Sequence, residues 1–193
     1  LLSKFPTSLE GVAVVLPSKR AVVFLKHYLS QKIKKPIFLP DFYSIEEFAE
    51  KISGLTVLDN ISLQFKLYQS YIAFPPKKID SFDDFLSWSN VLLHDFNEID
   101  RNLVDASSIY TNLKNVKELE NWDVDNWSLA EDNLSNMQHN YISFFERMLD
   151  WYTHFNDSLS KEQTAYQGMA YKLASKNIST FEIKWNNVWF VGL

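Results

Sequence analysis

The sequence predicts an α/β fold, a parallel sheet carrying a large all-helical insertion, and three observations predict it. Residues 12–16 form an unbroken apolar run of strand length, followed by apolar residues at helical spacing. A second short apolar run at 37–39 leads into another helix start, which completes the strand–helix–strand unit from which parallel sheets are built. After Gly54 helical patterning takes over for about 100 residues, until a last strand pattern at 188–191. The expected division is an α/β layer from 1–55 plus 160–193 and a helical insertion from 56–159.

Each element has a local reason. Pro17 and Ser18 end the first strand and open a helix in which Ala21, Val22, Phe24, Leu25, Tyr28 and Leu29 recur at helical spacing, until Lys34-Lys35-Pro36 stops it. Ile37-Phe38-Leu39 reads as the second strand, closed by Pro40. Ser44 with Glu47 is a capping-box pattern starting a helix to about Ile52. Asp59 caps a helix that Pro75-Pro76 ends, and Ser81 with Asp84 opens a long one whose stripe runs from Phe82 through Phe96 to Ile99. Further helices are expected at 106–119, 129–159 and 161–176, with an acidic loop at 120–127 between the first two.

With 46% hydrophobic and 16% aromatic residues, the composition of this 193-residue chain argues against disorder. The lack of cysteine removes disulfides, thiolate catalysis and cysteine-bound zinc, and fits a reducing compartment. No apolar stretch approaches the roughly 20 residues that span a bilayer, so a cytoplasmic location is expected. The chain opens on leucine and stops on a strand pattern, as expected of a piece of a longer protein.

The net charge of −5 is unevenly spread. Residues 1–40 hold Lys4, Lys19, Arg20, Lys26, Lys32, Lys34 and Lys35 against Glu10 alone, a balance of +6. Residues 80–150 hold fifteen acids against Arg101, Lys114, Lys117 and Arg147, a balance of −11. A polyanion would therefore be met by the amino-terminal part and repelled by the middle; the competing reading is two ordinary solvated surfaces.

The strand-to-helix junction at Ser18, Lys19 and Arg20 is the leading candidate site. Amides of a first helical turn point outward there, the helix dipole is positive, and two cations add charge, so a phosphate can be held. The competing reading is an ordinary helix start with solvated cations. Gly11, Gly54, Gly168 and Gly192 fit no Gly-Lys-Ser/Thr phosphate loop. His94 with Glu98, and Glu146, Asp150 and His154, form rows one helical turn apart, but without the Glu-x-x-His spacing of bundle metal sites they read as helix-face pairing. Pro40-Asp41 and Glu182-Ile183-Lys184 spell the two halves of a PD-(D/E)xK nuclease signature, yet lie too far apart for adjacent strands, and chance explains the match. Most aromatics fall on helical stripes and read as core. Trp122 and Trp127 lie in the acidic loop, where local packing or a protein partner fits better than DNA.

Val14-Val15-Leu16-Pro17-Ser18-Lys19-Arg20-Ala21, followed by Phe24-Leu25 and Tyr28-Leu29, resembles the amino-terminal region of the AddB/RexB-like proteins, PD-(D/E)xK nuclease family members with an inactivated superfamily I helicase. Further stretches agree in order: Lys35 to Pro40 with Ser44 to Phe48, Phe82 to Trp88, Leu93 to Asp100, Ala165 to Tyr171, and Phe190 to Leu193. The resemblance implies a parallel sheet of helicase-like, P-loop-type topology with the helical insertion in it. It also implies an ATPase-inactive DNA-binding module of a nuclease that processes double-strand ends for recombinational repair. Ser18, Lys19 and Arg20 would contact the phosphates of single-stranded DNA or of a duplex end. Catalytic residues and a divalent metal would lie in a nuclease domain outside these residues, with no cofactor in this stretch, and a helicase or nuclease subunit would be a partner. The alternative is an interaction scaffold docking such a subunit through the acidic helical insertion, with Trp122 and Trp127 in the contact.

Overall fold

The computed structural model describes residues 8–76, 78–112 and 136–193, arranged as two compact units, Leu1–Gly54 with Leu173–Leu193 and Leu55–Lys172. In the first unit β1 (Val12–Leu16) is buried along its whole length. It lies between β2 (Asp41–Ser44) and β5 (Asn187–Phe190), parallel to both. A strand enclosed on both sides and both faces needs a continuous apolar run, which is why β1 shows no alternation. Val14 is in register with Phe42 and Trp189, and Val15 with Tyr43 and Phe190, so each face of the sheet is a row across three strands.

Two helices cover opposite faces. The first, α1 (Lys19–Lys32), lays Val22 and half-buried Ala21 and Leu25 on the face of Val12, Val14 and Leu16, flanked by Phe42 and Trp189. The second, α2 (Ile45–Ser53), directs Phe48 to the other face, with ring-to-ring distances of 6.1 Å to Tyr43, 6.0 Å to Trp185 and 5.6 Å to Phe190. Gly54 ends α2 at φ 74°, a left-handed conformation that suits glycine.

The second strand differs from expectation. Residues 37–39 are not a strand, and β2 begins beyond Pro40, although Phe38 accepts one bond from the Leu9 amide. Prolines at 36 and 40 bracket the apolar run, whereas Asp41–Ser44 donates and accepts freely beside Ala13–Leu16.

The second unit is helical: α3 (Asn60–Ala73), α4 (Phe82–Arg101), α5 (106–112 of the described residues) and α6 (Asn136–Lys161). Leu67, Tyr71, Phe85, Phe96, Trp151, Phe155 and Leu159 form its core. A two-residue ladder joins β3 (Thr56–Val57) to β4 (Thr164–Ala165), and α7 (Gln167–Asn177) follows. Residues 160–172 thus belong to the helical unit. Strands this short leave no periodicity to read, so the expected helix from 161 opens only at Gln167.

Among the described residues, one charged side chain lies inside this core. Asp100 is 1% exposed and accepts hydrogen bonds from the hydroxyls of Tyr152 and Tyr166 and, at 2.7 Å, from the Lys172 ammonium. Nearby, the Gly168 amide donates to Asn97 Oδ1 at 2.7 Å, and a Cβ on Gly168 would stand 2.2 Å from the Asn97 carbonyl oxygen.

Two predictions follow from this packing. Gly168→Ala should lower stability by about 1–3 kcal/mol, read as a lower urea midpoint with unchanged slope, because the new methyl meets rigid backbone. The second concerns alkaline pH. Burial, with Asp100 adding to it, pushes the Tyr152 and Tyr166 phenols above the ordinary 10.0. Burial works against the Lys172 ammonium, yet hydrogen bonds to Asp100 and Tyr152 outweigh it and raise it above 10.5. Folded groups that hold their protons longer than unfolded ones contribute stability that is complete below the ordinary values and is lost as pH rises through the folded ones. The urea midpoint should therefore be level from neutral pH to about 9 and fall steeply above about 10, where a flat profile would contradict the assignment.

Candidate functional site

The carboxyl edge of the sheet brings three chain exits together. β1 exits through Pro17 into α1, β2 exits into α2, and β5 exits toward Gly192, whose position is 3.7 Å from the Pro17 ring for a Cβ built there. Val191 donates its amide to Val15 O at 2.9 Å and holds the last exit beside the first. In open parallel sheets this edge is where ligands meet helix amino termini.

Ser18 is the N-cap of α1. Its backbone is extended, at φ −157° and ψ 160°, and its hydroxyl accepts from the Ala21 amide at 3.3 Å. The Val22 amide reaches Ser18 O, closing the first turn. An α-helix cannot bond its first amides internally, so those of Lys19 and Arg20 remain available to an anion. Both side chains are exposed, and α1 has no acidic residue in its first turn.

Lys19 is not a free charge. Its ammonium lies 3.5 Å from Glu47 Oε1, with the lysine side chain 72% exposed. Glu47 belongs to the neighbouring entrance, where its other oxygen accepts the Ser44 amide at 2.9 Å while Ser44 Oγ accepts the Glu47 amide at 3.2 Å. The pairing of Leu16 with Ser44 sets the two helix starts side by side. The Ser44 amide, with Lys19 adding to it, holds the Glu47 carboxyl below its ordinary 4.5. Arg20 is the less compensated cation, with no ion pair among the described residues.

The remaining sequence candidates separate. Asp41 sits at the amino end of β2, far along the strand from Ser44, and its Oδ2 accepts from the Trp185 indole at 2.6 Å. Glu182 and Lys184 line an open depression of about 510 Å3 with Ile52, Asn177, Thr180 and Phe181. Trp185, next to Lys184 in sequence, reaches Asp41, but β1 lies between β2 and β5 and Asp41 does not line the depression that holds Glu182 and Lys184. Glu98 faces Arg101 at 3.8 Å, Asp150 pairs with Arg147 at 3.1 Å, and His154 Nδ1 contacts Ser70 Oγ at 3.0 Å. Among the described residues no three metal-binding side chains converge. Trp122 and Trp127 lie outside the described residues.

Two features were missed on sequence grounds. Asp100 had a visible signal, since it falls one turn after Phe96 on the buried stripe of α4, where an acid needs buried partners. The second lies on α1. Phe24 and Tyr28 are expected among its buried positions, yet they are 66% and 56% exposed. Val22, Leu29 and half-buried Ala21 and Leu25 already fill the stripe that meets the sheet, and Phe24 stands about 200° round the helix from Val22.

Glu47→Gln tests the electrostatics of this edge. Glutamine preserves the reciprocal cap, so stability at neutral pH should change by less than about 1 kcal/mol. The depressed Glu47 carboxyl contributes stability above its ordinary 4.5 that is lost as pH falls through its folded value, and the variant should lack that acid-sensitive part of the melting profile. With Lys19 released, the variant should also elute from a heparin column at higher salt; elution at the wild-type position would show that Glu47 does not restrain this cation. No family model, no curated protein and no solved structure matches the chain.

Proposed function

We propose that the chain is an ATPase-inactive, helicase-like DNA-binding module whose first helix entrance holds the sugar-phosphate backbone, as part of an AddB-like nuclease acting on double-strand ends. The observation that carries this reading is the carboxyl edge of the parallel sheet, where Ser18 caps α1 and exposes two adjacent cations beside free first-turn amides. Ser18 orders the turn, Arg20 supplies the less compensated charge, and Lys19 contributes once it exchanges Glu47 for a phosphate. The strand order β2–β1–β5 supports the topology, since the chain leaves β1 toward β2 and later returns on its other side.

Such a site acts on backbone charge and carries no base-specific information. Binding of an oligonucleotide should weaken as salt rises. In Lys19→Ala with Arg20→Ala the slope of log affinity against log salt should become shallower by about 1.4–1.8, corresponding to two lost phosphate contacts. An unchanged affinity and slope in the double variant would remove this function from the edge.

A further inference from the structure

We infer that the outward row Arg20, Phe24, Tyr28 and Lys32 of α1 is a base-stacking platform that directs the proposed DNA site toward single strands. The inference rests on the DNA reading of the α1 entrance. These four residues are spaced four apart, so they lie on one stripe, each about 6 Å beyond the last. All four are exposed. The row places a guanidinium at the entrance, two outward rings in the middle, and an ammonium at the far end. Lys32 Nζ stands 5.6 Å from the centre of the Tyr28 ring.

Apart from Glu47 beside Lys19, its charged neighbours keep the same sign. α1 contains no acidic residue, Lys26 Nζ lies 5.2 Å over the Phe42 ring at the flank of the helix, and Lys34 and Lys35 follow exposed beyond its end. A ligand complementary to this face must be polyanionic and must present flat apolar surfaces at short intervals. Single-stranded DNA meets both needs, whereas paired bases in a duplex have their faces occupied by one another. A membrane surface fits less well, because the exposed apolar surface is only Val23 and the two rings, divided by His27 and Gln31, which hydrogen-bond to each other at 3.0 Å.

The test uses the 193-residue chain with fluorescent oligothymidine and a duplex of equal length, read by anisotropy at several salt concentrations. Phe24→Ala and Tyr28→Ala should each weaken oligothymidine binding about tenfold while leaving duplex affinity and both salt slopes unchanged. Phe24→Tyr and Tyr28→Phe should bind as the parent does, and far-ultraviolet circular dichroism should show every variant folded. Equal losses on both DNAs, or no loss on oligothymidine, would overturn the platform. So would alanine variants that lose only adsorption to phosphatidylserine vesicles. If the parent chain binds neither DNA, the functional reading falls with the platform. If Lys19→Ala with Arg20→Ala flattens the slope while the ring variants bind like the parent, only the platform falls.

Discussion

The α/β unit depends on the burial of β1. Val12 through Leu16 lie between two parallel strands and beneath a helix on each face, so each of the five side chains leaves water. Burying a Val or Leu side chain contributes roughly 1.5–3 kcal/mol, and β1 buries four of them together with Ala13. Its parallel pairing fixes where the strands exit, and this sets Ser18, Ser44 and Gly192 along one edge. The chemistry proposed for that edge follows from the pairing: helix amino termini and their cations collect where parallel strands end.

The two helix starts at the edge are electrically linked. Glu47 caps α2 and also lies against Lys19 of α1, so one carboxylate serves a folding role and a counter-charge role. The pair is solvent-exposed and worth little as a salt bridge, and an incoming phosphate can replace it without leaving a buried charge behind. α1 divides its residues with similar economy. Its inward stripe is aliphatic and meets the sheet, while its outward row is aromatic and cationic.

Much of this was legible beforehand, and the reasons are particular. β1 was readable because a doubly covered strand needs an unbroken apolar run, and α2 because Ser44 and Glu47 satisfy each other's amides within four residues. β2 was misplaced because prolines flank the more apolar segment, so hydrophobicity pointed to residues that cannot sustain a ladder. β3 and β4 escaped notice because their pairing is two residues long and joins positions over 100 apart. For the candidate site, spacing alone located Ser18, Lys19 and Arg20. The Lys19 to Glu47 contact depends on the lateral register of two strands, which no local pattern encodes. The orientation of Phe24 and Tyr28 depends on how wide a stripe the sheet can accept.

The buried carboxylate of the helical unit has a consequence for sequence variation. Asp100 receives Tyr152 from α6 and Tyr166 and Lys172 from the stretch that enters α7, and the two buried phenols would lose this acceptor if the carboxylate were replaced alone. Drift at any one of the four positions is therefore penalised until the others change with it. Among descendants of this sequence, the four should be inherited as a block or exchanged together for an apolar set of matching volume.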